Sequence, residues 1–148
     1  MASGKGYAMN TDFRERIDDV YNAYLEGHFQ YLVDEVVDDE IEFATNAPTH
    51  AFPYLGPGKG KDALLATWKA FRLDYEFLSY TPFLVVAETA DTAFVVVKMK
   101  VKAIATNRLI ALIVADYLRF RDDRVVKFRQ TMDPCEATEL WLGRQIDL

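Results

Sequence analysis

"RLIALIVADYLRFRDDRVVKFRQTM", residues 108–132, decides the fold. β-branched and aromatic residues run through both halves at a period of two, and "RDDRV" between them carries the residues of a hairpin turn. The stretch reads as two long antiparallel strands, 108–122 and 124–132. In the second, Val126, Phe128, Gln130 and Met132 share one face. A single carboxylate, Asp116, interrupts the apolar run of the first.

The same period extends upstream as far as residue 76. In "TAFVVVKMKVKAIAT" (92–106) Val95, Val97, Met99, Val101 and Ala103 alternate with Lys98, Lys100 and Lys102, giving one buried and one wet face. "EFLSYTPFLVVAE" (76–88) precedes it, and "ETADTA" and "ATNRL" are turns. Before residue 76 the period is helical. Phe13, Ile17, Val20 and Tyr24 mark a helix over 11–26, capped by Thr11 or Asp12 and ended by Gly27. A shorter helix follows over 28–37, a strand over 40–46, and a third helix over 61–75 with Leu64, Trp68 and Phe71 on one side. A short helix starts after Pro134. Helices first and a meander of long strands afterwards give an α+β chain with helices on one face of an antiparallel sheet. Strands this long twist, so the sheet curls into a conical roll. The three N-terminal helical segments close its concave face over a tapering space. Residues 1–10 are expected as a flexible tail and 11–148 as one domain.

Composition sets outer bounds. The chain has 148 residues and a net charge of −6, which argues against a non-specific nucleic-acid partner. One cysteine, Cys135, excludes an internal disulfide framework. No apolar run is long enough for a signal peptide or a membrane span. A cytoplasmic protein without nucleic-acid or membrane partners is the expectation.

"THAFPYLGPGKGKDALLATW" (49–68) raises the question of a phosphate-gripping loop. Gly56 to Gly60 has one intervening residue too few. Asp62 stands where a metal-binding hydroxyl belongs, and its carboxylate repels phosphate. The glycines are therefore read as turn residues.

Three stretches carry a family resemblance: "VVDDEIEF", "YLGPGKGKDALLATWKAF" and "LIVADYLRFRDDRVVKFRQTMD". In this order and spacing they resemble the nuclear-transport-factor-2-like superfamily, in its SnoaL-like and ketosteroid-isomerase-like branch. The resemblance covers most of 11–133. It implies an apolar pocket between helices and curved sheet, taking a small organic molecule, and a homodimer formed through the open sheet. The branch includes isomerases, dehydratases, cyclases and non-catalytic binding proteins, so fold alone settles no activity. The isomerase pairs a carboxylate base with an oxyanion hole made of a tyrosine and a protonated aspartate. The aspartate position falls on Asp116. The base position falls on Ala44, which cannot take a proton. The tyrosine position falls on Val20, with Tyr21 beside it and Tyr24 one turn on.

Asp116 is the candidate acid/base if it points into the pocket. The alternative is that it faces outward or pairs with Arg129. His50, in the loop at the expected pocket mouth, is the candidate replacement for the missing base, and Tyr24 a candidate donor. Val20, Tyr54, Trp68, Phe128, Gln130 and Met132 are the candidate ligand-binding residues, Gln130 as the polar group on an apolar wall. His28 suits the end of the first helix. No metal or organic cofactor is implied. Two functions remain open: a cofactor-independent isomerase, dehydratase or cyclase using Asp116, and a non-catalytic ligand-binding or interaction module.

Overall fold

The structure is a computed structural model describing residues 2–89 and 91–147, with side chains described from Asp12 onward except that of Glu88. It is α+β. Helix α1 (Ala2–Leu25) is followed by a one-turn α2 (Phe29–Tyr31) that widens into a π-helical turn, Leu32–Val36. Strand β1 (Val37–Thr45), a two-residue β2 (Gly58–Lys59) and helix α3 (Lys61–Asp74) come next. Four strands then follow: β3 (Tyr75–Thr89), β4 (Thr92–Ala103), β5 (Leu109–Arg121) and β6 (Arg124–Thr131). Helix α4 (Pro134–Leu142) ends the fold. Among the described residues no helix is long and apolar enough to cross a membrane.

The helix α1 begins at Ala2 rather than at the cap expected at Thr11 or Asp12, so helical backbone takes in residues expected as tail. No proline stands in the way, and Ala2, Lys5, Ala8 and Met9 are good helix formers. Helix α4 has a side-chain cap at its start. Asp133 accepts from the Cys135 and Glu136 amides at 2.9 and 3.1 Å, and Pro134 occupies the first turn.

One open sheet has the order β2-β1-β6-β5-β4-β3. It is mixed, not purely antiparallel as expected. β1 and β6 run parallel, because the chain returns to the sheet beside its first strand only after three hairpins. The other pairings are antiparallel. β3 departs from its ladder at three points, between Phe77 and Ser79, Pro82 and Leu84, and Ala87 and Thr89. Each irregularity adds local bend and twist, which curls the sheet. Pro82 is tolerated because β3 is an edge strand.

The concave face buries Val95, Val97 and Val101 of β4 and Ile110, Leu112 and Val114 of β5, all nearly or wholly inaccessible. At about 0.8 kcal/mol per buried methylene, burying these rows stabilises the fold. Ile17 and Tyr21 of α1 and Leu64 and Phe71 of α3 cover them. On the convex face Phe94, Ile113, Leu84 and Val86 stay about half exposed.

The glycine-rich connection is structural. A Cβ on Gly58 would lie 2.2 Å from the Phe43 ring, so any larger residue there must displace that ring. Gly60 enters α3 with φ +88°. Lys61, beside the loop rejected above as phosphate-gripping, reaches Asp39 at 2.6 Å and the Val33 carbonyl at 3.0 Å. It ties α3 to β1 and the π-helical turn, and the nearby cation holds the Asp39 carboxyl below its usual range.

Candidate functional site

Between the concave sheet and helices α1 and α3 lies a cavity of about 140 Å³. Its wall is nearly all apolar, drawn from Ile17, Leu64, Trp68, Phe71, Leu112 and Phe128 among others. A cavity of this size in hydrocarbon surroundings accommodates a molecule on the scale of benzene or a little larger.

One polar cluster is built into that wall. Asp116 sits on the inner face of β5 with no exposed surface, the single carboxylate in a row of Ile110, Leu112, Val114 and Leu118. Strand pairing places Gln130 of β6 directly opposite. Gln130 Nε2 donates to Asp116 Oδ1 at 3.0 Å and to Tyr80 Oη at 2.9 Å. The Tyr80 hydroxyl donates to Asp116 Oδ2 at 3.3 Å, and the Tyr21 hydroxyl of α1 donates to the same oxygen. The Tyr21 and Tyr80 rings meet at 5.1 Å.

Among the described residues no cation answers the carboxylate. Arg129 stands in register with Tyr117, on the opposite face from Asp116. Burial therefore dominates and raises the Asp116 carboxyl to about 6; the Tyr21, Gln130 and Tyr80 hydrogen bonds pull the other way without cancelling it. Burial, and then the charge of Asp116, push both Tyr21 and Tyr80 well above the usual tyrosine range. Both hydroxyls stay protonated, as donors.

Tyr21, Tyr80 and Gln130 line the cavity, whereas Asp116 is not on its wall. The carboxylate meets the interior space only through its three partners. Neutral hydroxyls around one buried acid can polarise a ligand oxygen. They offer no base for a carbon-bound proton, and Ala44, at the position where a base would stand, also lines the cavity.

The sequence-based candidates separate into two groups. Val20, Tyr24, Trp68, Phe128, Gln130 and Met132 all line the cavity. Tyr24 packs on Phe29, Trp68, Phe77 and Tyr80 at 5.2 to 5.5 Å, under the Arg72 guanidinium at 5.0 Å, and its hydroxyl makes no hydrogen bond to Asp116. Burial raises its hydroxyl. Tyr54 is off the wall, packed edge-on against Phe71 at 5.7 Å. His50 is also off it and exposed; its loop turns the ring toward α4, 3.4 Å from Thr138 and against Trp141. Val126, expected on the inner face of β6, gives way to Val125, because the β5–β6 register slips between Arg119 and Phe120. His28 is exposed beside Glu26 at 3.4 Å. Among the described residues no three His, Cys, Asp or Glu side chains converge as metal ligands would.

Tyr21 and Tyr80 complete the site and were not chosen as donors from sequence. Tyr21 follows Ile17 by four residues, a spacing that marks the same helix face. Tyr80 is three residues from Phe77, yet both face inward, because the irregularity beside Leu78 shifts the period.

No family model matches the chain, and no curated protein matches it. Solved structures do. A protein named provisionally as an isomerase from Rhodopseudomonas palustris superposes with a TM-score of 0.71 at 26% identity, over 84% of this chain and 94% of that one. A protein from Burkholderia pseudomallei described as like nuclear transport factor 2 gives 0.73 at 15% identity, over 86% and 95%. The chain has the fold of proteins described as like nuclear transport factor 2. A protein described as a SnoaL-like polyketide cyclase, from Mesorhizobium loti, shares this fold, with a TM-score of 0.62 at 14% identity over 80% and 97%.

Proposed function

We propose that this protein takes a small, largely apolar organic molecule into the cavity and acts on it as an acid. The observation that carries the reading is Asp116, buried without a cation and bonded to three cavity-lining side chains. Tyr21 would hold a ligand oxygen as it gains negative charge, while Tyr80 and Gln130 hold Asp116, which fixes Tyr21 and holds the proton. Isomerisation, dehydration and cyclisation that need an activated oxygen and no separate base fit this inventory. They are consistent with the isomerase and cyclase names of similar structures. No organic cofactor enters the scheme. Native mass spectrometry of the purified protein identifies a co-purified ligand, and turnover of that ligand is then compared between wild type and Tyr21→Phe. Loss of one such donor should slow turnover by about a hundredfold or more. Equal rates sink the catalytic reading.

A second reading, ligand binding without catalysis, is favoured by one observation: the base position is Ala44. Retention of an unchanged ligand by the wild-type protein supports it.

The convex face supports the proposal of a homodimer. Val86, Phe94 and Tyr117 stand side by side across β3, β4 and β5, as do Leu84, Val96 and Ala115. The lysines lie further along β4, where Lys102 pairs with Glu76 at 2.9 Å and Lys98 covers the Phe83 ring at 5.1 Å. The six side-by-side positions carry no charge, and Arg129, in register with Tyr117, and Arg119, opposite Thr92, border them, which leaves an apolar patch for a self-pairing sheet face.

A further inference from the structure

The polar cluster allows every proton to be counted. Tyr21 and Tyr80 have one hydroxyl proton each, and the Gln130 amide has two. With Asp116 ionised, all four are engaged. Both hydroxyls point at Oδ2, and the amide serves Oδ1 and Tyr80 Oη. What remains toward the cavity is acceptor capacity only, the lone pairs of Tyr21 Oη and Gln130 Oε1. A ligand carbonyl placed there finds no donor.

One added proton changes the inventory. On Asp116 it belongs on Oδ2, since a hydroxyl facing Oδ2 can turn from donor to acceptor, whereas the Gln130 N–H at Oδ1 can only donate. Oδ2–H then donates to Tyr21 Oη, which accepts from nothing else in the cluster, whereas Tyr80 Oη is occupied by Gln130. The Tyr21 hydroxyl proton is displaced from Asp116 and turns to the cavity that its ring lines. Tyr80 still donates to Oδ2.

We infer that Asp116 is a positioning residue that decides, through Tyr21, whether the cavity offers a donor, so that binding of a neutral ligand with an acceptor-only oxygen, such as a ketone, takes up one proton. This deepens the function proposed above and rests on the cavity being the ligand site. The groups facing Asp116 are Tyr21 and Tyr24 from α1, Tyr80 from β3 and Gln130 from β6, while β4 presents Val95. None is a cation or a second carboxylate. The proton is therefore Asp116's to gain, and its carboxyl, raised to about 6 by burial, does so near neutral pH.

The test is calorimetric binding of acetophenone and of its oxygen-free isostere α-methylstyrene, at about pH 5 and about pH 8. Acetophenone should weaken about tenfold per pH unit above the Asp116 transition until it matches the hydrocarbon, and should take up about one proton per molecule bound at the higher pH. The hydrocarbon should bind alike at both. In Asp116→Asn, Gln130 holds the amide oxygen at the Oδ1 place and leaves the NH₂ to donate to Tyr21. Acetophenone should then bind tightly at either pH. Tyr21→Phe should make the two compounds indistinguishable. A pH-independent acetophenone affinity in the wild type, or an unchanged pH slope in Asp116→Asn, overturns the inference and leaves the cavity reading standing. Failure of both compounds to bind the wild type at either pH overturns the cavity reading and the inference with it.

Discussion

Gln130 and Asp116 face each other across the β5–β6 ladder, and the amide of one meets the carboxylate of the other at 3.0 Å. This pair fixes the carboxylate's orientation within an apolar row. It also separates the two carboxylate oxygens: Oδ1 for the amide, Oδ2 for the tyrosines.

Burial of Asp116 has a stability cost at neutral pH that Asp116→Asn should relieve. The folded carboxyl is raised to about 6 from its ordinary 3.8, so the folded state holds the proton more tightly. The favourable contribution of the neutral acid is full below about 3.8 and is lost as pH rises through about 6. Denaturant unfolding should show Asp116→Asn gaining on the wild type by about 2–3 kcal/mol between about pH 4 and about pH 8. A difference independent of pH contradicts this.

The donors around Asp116 pull its titration downward, so removing one should move it up. In carboxyl-carbon NMR titrations, Tyr21→Phe and Gln130→Ala should each titrate Asp116 above the wild-type value of about 6, Tyr21→Phe by more. A downward shift in either variant would contradict the assigned bonds.

Gly58→Ala should destabilise the protein. A Cβ there would sit 2.2 Å from the Phe43 ring, and Phe43 is part of the cavity wall. Overpacking of this kind costs about 1–3 kcal/mol, read as a lower denaturation midpoint. An unchanged midpoint would show that the ring moves freely.

Light scattering on the eluted protein should give the mass of a dimer. Phe94→Glu, at the centre of the convex apolar patch, should give the monomer mass of 16.9 kDa. A wild type already at that mass ends the dimer proposal.

Much of this architecture was legible in the residue order. The switch from a period near 3.6 to a period of two at residue 76 separates helices from meander, and Asp116 stands out as a carboxylate in an apolar strand. The parallel β1–β6 pairing was not legible, since strand neighbours so far apart in sequence leave no local trace. Nor was Tyr80, which two-residue alternation from Phe77 assigns to the wrong face until the irregularity beside Leu78 is known. His50 misled for a related reason. A loop's position can be read from sequence, but the direction its side chains take depends on α4, which packs there from the far end of the chain.

The most direct test of the central claim, that the cavity beside Asp116 is the ligand site, is amide NMR shift mapping as acetophenone is added to isotope-labelled protein. The account predicts perturbations centred on Tyr21, Tyr80 and Gln130 and on the Leu64–Phe71 face of α3, with the convex row at Phe94 and Ile113 unmoved. Perturbations confined to that convex row would contradict it.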